Sequence, residues 1–431
     1  VSARFIVADV FDGLATLEDG SVDLVVTSPP FLALRSYLPA DHPDKGKEIG
    51  SEATPAEFID TLLRVTQELR RVLAPHGSIA IELGDTYAGS GGAGGDYDRG
   101  GLREGQPRFR RQPPNTSHRL HDDGSLKTDA DTRALEPKNL SHTTPLPAGP
   151  GWPLAKSTCM IPESYRWALA YGMNPFTGQP SPAGMWRVRN VVTWCRPNPP
   201  VGALGDKWRP ATSDVVVACV SGKRYWDDLA TRKENPRIDE ASLSPRAWAH
   251  DHPGGRPAAA GGGDKTRVPV TQNRSGAPLL DYWEIPPTGY AGAHYAVYPA
   301  DLVVPLVKAM CPEKVCRTCG EPSRRITETN YERSQGGTSG KRRDLTEPDG
   351  RLNGTGMVGK PTMNRVDSTL GWSDCGHDDY RPGLVLDPFA GSGTTLAVAT
   401  GHGRDAIGID LDERNADLAM ERVGPFLMEV R

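Results

Sequence analysis

Leu384-Val385-Leu386-Asp387-Pro388-Phe389-Ala390-Gly391-Ser392-Gly393-Thr394-Thr395 is the stretch on which the reading of this chain turns. A short apolar run leads into two closely spaced glycines, and the pattern predicts a helix from about Thr395. A strand, a glycine turn and a helix amino terminus together make a binding site. Glycine lets the backbone approach a ligand closely, and the first helical turn offers N–H groups with no partner inside the helix. The next apolar run, Ala406–Ile409, closes on Asp410, 17 residues after Gly393. That is near the spacing of about 20 residues at which a carboxylate meets ribose hydroxyls in nucleotide-binding folds. No Lys-Ser/Thr follows the glycines, so the loop is not a Walker A motif, and the third glycine of the dinucleotide fingerprint is missing.

The amino-terminal end shows a matching pattern. Arg4–Ala8 and Val22–Val26 read as strands around a helical turn, and the second stops at Thr27-Ser28-Pro29-Pro30-Phe31. Two prolines cannot continue a central strand, so this is a loop at a strand's carboxyl end, the edge where open α/β sheets bind ligands. Thr54, Pro55 and Glu57 open a helix with capping-box chemistry, and Phe58, Leu62, Val65, Leu69 and Val72 recur at helical spacing. Pro75 and Gly77 end it, and Ser78–Leu83 follows as a strand before Gly84-Asp85-Thr86-Tyr87. The βαβ pattern predicts a parallel sheet. Pro162–Tyr171 and Ala300–Met310 read as helices, Val188–Trp194 and Ser213–Val220 as strands, and 230–280 and 320–372 as loose segments.

Composition bounds the function classes. The chain has 431 residues and a net charge of -4, and no apolar run reaches the roughly 20 residues of a membrane span. No secretory signal is recognised, so the expected location is cytoplasmic. Gly and Pro supply about a fifth of the residues, which implies long loops. A nucleic-acid partner must be met by a local basic surface. Between Arg99 and Arg119 there are six arginines and one acid, Glu104. This stretch reads either as a solvated insertion or as an arm that orders on a phosphate backbone.

Chemistry connects the two loops. An exocyclic base amine is a poor nucleophile because its lone pair is delocalised into the ring. Acceptors that take both amine hydrogens localise that pair. The Ser28 hydroxyl and the Pro29 carbonyl supply two acceptors, and proline brings no competing N–H. Phe31 offers a flat face for a base swung out of a duplex.

Together, Asp387 to Thr395 and Ser28 to Phe31 resemble the DNA amino-methyltransferases of restriction–modification systems and phages. Their order resembles the permuted beta group, with the target-recognition region between the catalytic and cofactor loops. Gly84 to Tyr87 and Trp194 with Asn198-Pro199 are similar to further family segments, although Arg196 stands for the usual Lys. Ser213-Asp214 stands where the family usually has His-Glu, and His294 to Pro299 resembles the segment that packs over methionine.

The resemblance implies a Rossmann-like S-adenosylmethionine-dependent methyltransferase sheet with large loop-rich insertions. It implies catalysis by Ser28, Pro29, Pro30 and Phe31. It also implies a cofactor site of Asp9, His294, Asp387, Phe389, Gly391, Gly393, Thr394, Thr395 and Asp410. Family members with Ser in first place mostly methylate cytosine N4, and those with Asp mostly adenine N6. Cytosine N4 in duplex DNA is therefore the expected target. Adenine N6, an inactive DNA-binding relative, and an RNA or protein methyltransferase are the alternatives. The implied partners are duplex DNA and a cognate restriction endonuclease; no membrane partner is expected, and the oligomeric state is open.

On this reading 1–87 and 156–228 form the catalytic half, separated by the 88–155 insertion. Residues 229–281 form the target-recognition region, 282–312 cover the cofactor, and 383–431 bind it. Residues 313–382 form an insertion. Within it Cys316-Arg317-Thr318-Cys319-Gly320 opens a knuckle-like turn that Cys375-Gly376-His377 closes, a Cys3His set suited to structural zinc, with Cys311 as a substitute ligand. A chance cluster of reduced thiols is the alternative, and Cys159, Cys195 and Cys219 lie singly.

Overall fold

The computed structural model describes residues 1–33, 37–38, 41–88, 151–154, 156–199, 207–232, 276–287, 298–333 and 363–431. In chain order the elements begin with β1 (Ala3–Val7), α1 (Val10–Ala15), β2 (Val22–Thr27), α2 (Pro55–Val72), β3 (Leu73–Leu83) and α3 (Ile161–Tyr171). Then come β4 (Arg187–Cys195), β5 (Thr212–Cys219), β6 (Tyr282–Glu284), α4 (Ala300–Met310) and β7 (Lys314–Cys316). Next are β8 (Arg325–Arg333), β9 (Met363–Trp372), β10 (Tyr380–Pro382) and β11 (Leu384–Asp387). The chain finishes with α5 (Thr394–Gly401), β12 (Asp405–Asp410), α6 (Arg414–Val423) and β13 (Met428–Val430).

Nine strands form one sheet in the order β13-β1-β12-β11-β2-β3-β5-β4-β6. The pairs β1–β12, β11–β12, β11–β2 and β2–β3 are parallel, and β5 is antiparallel to both β3 and β4. The expected α/β class and its mostly parallel sheet are therefore present. The two ends of the chain are stitched together: β2 lies against β11 with Leu24 opposite Val385, and β1 lies between β12 and β13.

Alternation along the strands feeds two cores. Val25, Ile79 and Ile81 face Phe58, Leu62 and Leu69 of α2 and Tyr165 of α3. Leu24, Val26 and Val385 face Leu302, Val303 and Leu306 of α4 and Leu396 of α5. A sheet buried on both faces needs apolar residues at consecutive positions, which is why β2 reads as a continuous apolar run but for Asp23. Helix α2 starts as expected: Thr54 accepts from Glu57 N (3.2 Å) and Pro55 takes the first position. Glu57 reaches back to Ala53 N (3.1 Å).

Two expectations are corrected. Strand β3 begins at Leu73, not Ser78, running through Pro75 and Gly77, and its pairing with β2 shifts register between Val22 and Leu24. Proline fits there because the irregularity removes the ladder bond it cannot make. The stretch 320–372, read as loose, contains the antiparallel pair β8–β9, with Arg325 opposite Trp372. Its apolar residues, among them Ile326, Tyr331, Val366, Leu370 and Trp372, are too few and too unevenly spaced for a strand pattern.

The chain forms two compact units: 1–226, 281–322 and 377–431 in the first, and 227–280 with 323–376 in the second. In the second, Arg325 pairs with Asp227 (2.9 Å), and Arg232 bridges Asp228 and Asp367 (2.7 Å each), which ties 227–232 to the ribbon. The expected insertion 88–155 lies outside the described residues except 88 and 151–154, and most of 229–281 does too. Among the described residues no helix is long and apolar enough to cross a membrane.

The polar residue inside β2 has a structural task. Asp23 is fully buried and accepts from Arg381 of β10 (2.6 and 3.1 Å), Leu384 N (2.7 Å) and His76 Nε2 (3.0 Å). Burial alone would raise its pKa, but the hydrogen bonds from His76 and Arg381 hold it below the ordinary carboxylate value. Its stabilising contribution is thus present above the ordinary carboxylate pKa and is lost as pH falls through the depressed one. Asp23→Asn should cost about 3–5 kcal/mol in urea unfolding, because Arg381 loses its partner. A loss under about 1 kcal/mol would show that solvent compensates the arginine.

Candidate active site

The carboxyl ends of β1, β11, β12, β2 and β3 open into one cavity of about 460 Å³. Ser28, Pro29, Pro30 and Phe31 all line it, and so do Asp9, Phe389, Gly391, Thr394 and Asp410. The two loops singled out in sequence, more than 350 residues apart, therefore share a wall. His294 lies outside the described residues.

Asp387, Gly393 and Thr395 do not line the cavity but build its floor. The buried Asp387 carboxylate accepts from Thr27 Oγ1 (2.5 Å), Thr395 Oγ1 (2.6 Å), Tyr298 OH (2.9 Å) and Phe389 N (3.1 Å). Burial raises its pKa, while the Thr27, Thr395 and Tyr298 hydrogen bonds pull the other way. Gly393 caps α5 with φ +76°, and a Cβ there would sit 2.7 Å from Ala419 Cβ. The second glycine is thus required by backbone conformation and by packing against α6.

Asp410 closes β12 and accepts from Gly391 N (2.8 Å), Asp412 N (2.9 Å) and Asn415 Nδ2 (2.9 Å). Burial pushes its carboxyl up to about 6 against those bonds. Asp9 caps α1 through Phe11 N (3.0 Å) and Asp12 N (3.1 Å) and meets Lys47 Nζ at 3.1 Å.

Opposite the glycine loop, Ser28 Oγ donates to Glu82 Oε2 at 2.6 Å. Glu82 sits in the otherwise apolar end of β3 and is 6 % exposed. Burial raises its pKa, opposed by hydrogen bonds from Ser213 and Ser28 and by the Arg196 charge. Arg196 is held over the Trp194 ring (4.9 Å) by bonds to Thr212 O (2.9 Å) and Ser213 Oγ (3.2 Å). Asp85 lines the cavity while its carboxylate accepts from Met160 N and Ile161 N at the start of α3 (3.0 and 3.1 Å). Asp214 is turned to Arg166 (3.1 Å).

Sequence reasoning missed Glu82 as a functional residue. Its signal was an acid in the run Ser78-Ile79-Ala80-Ile81-Glu82-Leu83, since carboxylates are rarely buried without a task. Six carboxylates line the cavity (Asp9, Glu48, Glu82, Asp85, Asp410, Asp412) against the two cations Lys47 and Arg196, with Phe31, Trp194, Tyr298 and Phe389 as aromatic walls. Ser392 Oγ and Asn415 Oδ1 are buried there without a hydrogen-bond partner. Such a cavity suits an aromatic, cationic ligand with polar groups to meet both atoms.

The Cys/His set lies apart from this cavity. In the first unit, the ligand atoms of Cys316, Cys319 and His377 lie within 4.8 Å of one another. Cys375 stands two residues before His377, and Cys311 is buried beside Gly383.

Residues 22–148 and 380–421 match the DNA methylase family model. The chain is 24% identical to the type II methyltransferase M.SmaI of Serratia marcescens over 427 residues, covering 98% of this chain and 91% of that one. It is 22% identical to the type II methyltransferase M.Cfr9I of Citrobacter freundii, covering 96% and 85%. Among solved structures, the cytosine-N4-specific PvuII DNA methyltransferase aligns with a TM-score of 0.44 and 12% identity, over 98% of this chain and 86% of that one. The resemblance to the DNA amino-methyltransferases is borne out at the level of the family.

Gly84 gives this cavity a direct test. A Cβ there would lie 2.5 Å from the Phe31 ring. Gly84→Ala should cost about 1–3 kcal/mol by forcing the ring aside. The same change in a Phe31→Ala background should cost clearly less, a coupling that a double-mutant cycle measures. Additive losses would mean that the ring does not rest on Gly84.

Proposed function

We propose that this relative of the type II DNA methyltransferases transfers a methyl group from S-adenosylmethionine to the exocyclic N4 of a flipped cytosine in duplex DNA. The observation that carries the reading is Ser28, bonded to buried Glu82, on the wall of the cavity that the Phe389-to-Thr394 loop also lines. Cytosine is favoured over adenine by Ser28 at the first position of the Ser-Pro-Pro-Phe loop. The reading implies action in the cytoplasm and a cognate restriction endonuclease as partner. Target recognition is assigned to 229–281 with help from the basic stretch in 88–155.

The residues present fit the methyl donor. Gly391, at φ +49°, allows close backbone approach, Asp410 suits ribose hydroxyls, and Phe389 and Asp9 flank the place for an adenine. The carboxylate-rich lining suits a sulfonium, and the unpartnered Ser392 and Asn415 atoms await polar groups of a ligand. Asp387 and Thr395 support the loop from beneath, and the amino end of α5 at Gly393 and Thr394 completes it. S-adenosylmethionine, when bound, supplies an electrophilic methyl group that needs no Lewis acid.

The chain's own work is to hold the amine and take its proton. Because Ser28 donates to Glu82, its oxygen lone pairs are left to accept an amine hydrogen. The Pro29 carbonyl accepts the other, and the Phe31 ring holds the base plane. As the nitrogen gains a methyl group it becomes acidic. Its proton passes to Ser28 Oγ while the Ser28 proton passes to the Glu82 carboxylate. A raised pKa makes Glu82 a better acceptor than an ordinary carboxylate.

The test is incubation with unmodified genomic DNA and labelled S-adenosylmethionine, followed by nucleoside digestion and mass spectrometry. N4-methylcytosine is the expected product. N6-methyladenine would overturn the base assignment, and no methylated nucleoside would overturn the enzyme reading. Ser28→Ala should lower kcat by about 10²-fold or more with little change in cofactor affinity. In the wild-type protein kcat should climb with pH as Glu82 ionises at its raised pKa. Glu82→Gln should remove that limb, and an unchanged pH profile would take Glu82 out of the proton path.

A further inference from the structure

We propose that Cys316, Cys319 and His377, with Cys375 two residues before His377 in sequence, bind a zinc ion. The proposal stands apart from the methyl-transfer reading. Cys316 Sγ and His377 Nδ1 are 3.5 Å apart. Bond lengths of about 2.3 Å to sulfur and 2.0–2.1 Å to nitrogen, at the tetrahedral angle, put those two ligand atoms about 3.6 Å apart. The Cys319 sulfur lies within 4.8 Å of both. Three ligands of the right type thus stand close to the edges of one tetrahedron.

The backbone around them has the form of a sulfur-wrapping turn. Cys319 N–H points to Cys316 Sγ at 3.5 Å, and Gly320 N donates to Cys316 O at 3.0 Å. Gly320 takes φ +73°, which lets the chain turn back so that Cys316 N reaches Glu321 O (3.0 Å). Strand β10 pairs antiparallel with β7, with Tyr380 opposite Cys316, and Arg317 N donates to Asp379 O at 2.9 Å. That pairing brings His377 to the turn. Gly376, at φ +78°, separates His377 from Cys375, so the second pair is also carried on a turn that admits glycine readily.

A Cys3His set supplies four protein ligands and leaves no open position, which makes the ion structural. Its place agrees with that. Arg381 of β10 grips Asp23 near the start of β2, whereas Ser28 follows the other end of that strand. About 16 Å of strand separates that anchor from the catalytic loop. The ion holds the turn after β7 to the residues just before β10, both in the first unit.

The experiment is elemental analysis of the full chain purified without chelator from zinc-supplemented cells. About one zinc per chain is expected. Cobalt exchange should give the intense visible bands and the thiolate charge-transfer band of a tetrahedral site. Cys319→Ser and His377→Ala should each lose the metal, and Cys219→Ala should keep it. Chelation should lower the melting temperature. Metal-free protein with titratable thiols, a Cys316–Cys319 disulfide, an octahedral cobalt spectrum, or metal retained in the Cys319→Ser/His377→Ala double variant would each overturn the proposal. None of these readouts depends on methyl transfer, so they stand whether or not methylated nucleosides appear.

Discussion

The buried carboxylate of Asp387 is the constraint on which the rest of the first unit depends. It gathers Thr27, Thr395, Tyr298 and the Phe389 amide around one side chain. Thr27 directly precedes Ser28, and Phe389 and Thr395 bracket the glycine loop. A single side chain therefore sets the positions of both loops relative to each other. Such a group is expensive to bury and tolerable only when its lone pairs are met. Here three hydroxyls and an amide meet them, which is why the positions around it are Thr and Tyr in an otherwise apolar core. The Asp-Pro start of the glycine loop thus acts as architecture as much as ligand chemistry.

Most of the sheet could be read before any coordinates because its strands obey period and boundary rules. Val22–Val26, Val188–Trp194, Ala300–Met310 and Ala406–Ile409 fall within a residue or so of β2, β4, α4 and β12. The strand ends were legible too, since proline, glycine and aspartate stop strands for local reasons. What escaped was decided by tertiary contact. The β8–β9 ribbon has too few apolar residues at period two for its composition to separate it from loop. Glu82 was simply part of the strand Ser78–Leu83, and only the fold brings it to Ser28. Asp387 and Thr395 read as ligand contacts, but the sheet turns them inward.

Two separate polar systems run through the first unit. At the carboxyl end of the strands, Glu82 and Asp410 are carboxyls raised by burial on the wall of the cavity. At the amino end, Asp23 is lowered by Arg381 and His76. Raised acids facing a pocket are prepared to exchange protons or meet a cation. A lowered acid under an arginine is a fastening. The same residue type thus serves the cavity in Glu82 and Asp410 and cohesion in Asp23.

The interleaving of the sheet also bears on how the chain is made. Strand β1 is flanked by β12 and β13, and Ala3 N and Arg431 N donate across that seam to Leu427 O and Phe5 O (2.6 and 2.8 Å). During synthesis both neighbours of β1 emerge some 400 residues after it. At about 5–20 residues per second that is a wait of roughly 20–80 s on the ribosome. Throughout that interval an apolar strand has two open edges and no partner. Strand β2 and α2 can pack with β3 at once, while β1 and the floor beneath the cavity cannot. Completion of the ligand site thus waits for β11, α5 and β12, which emerge long after β1.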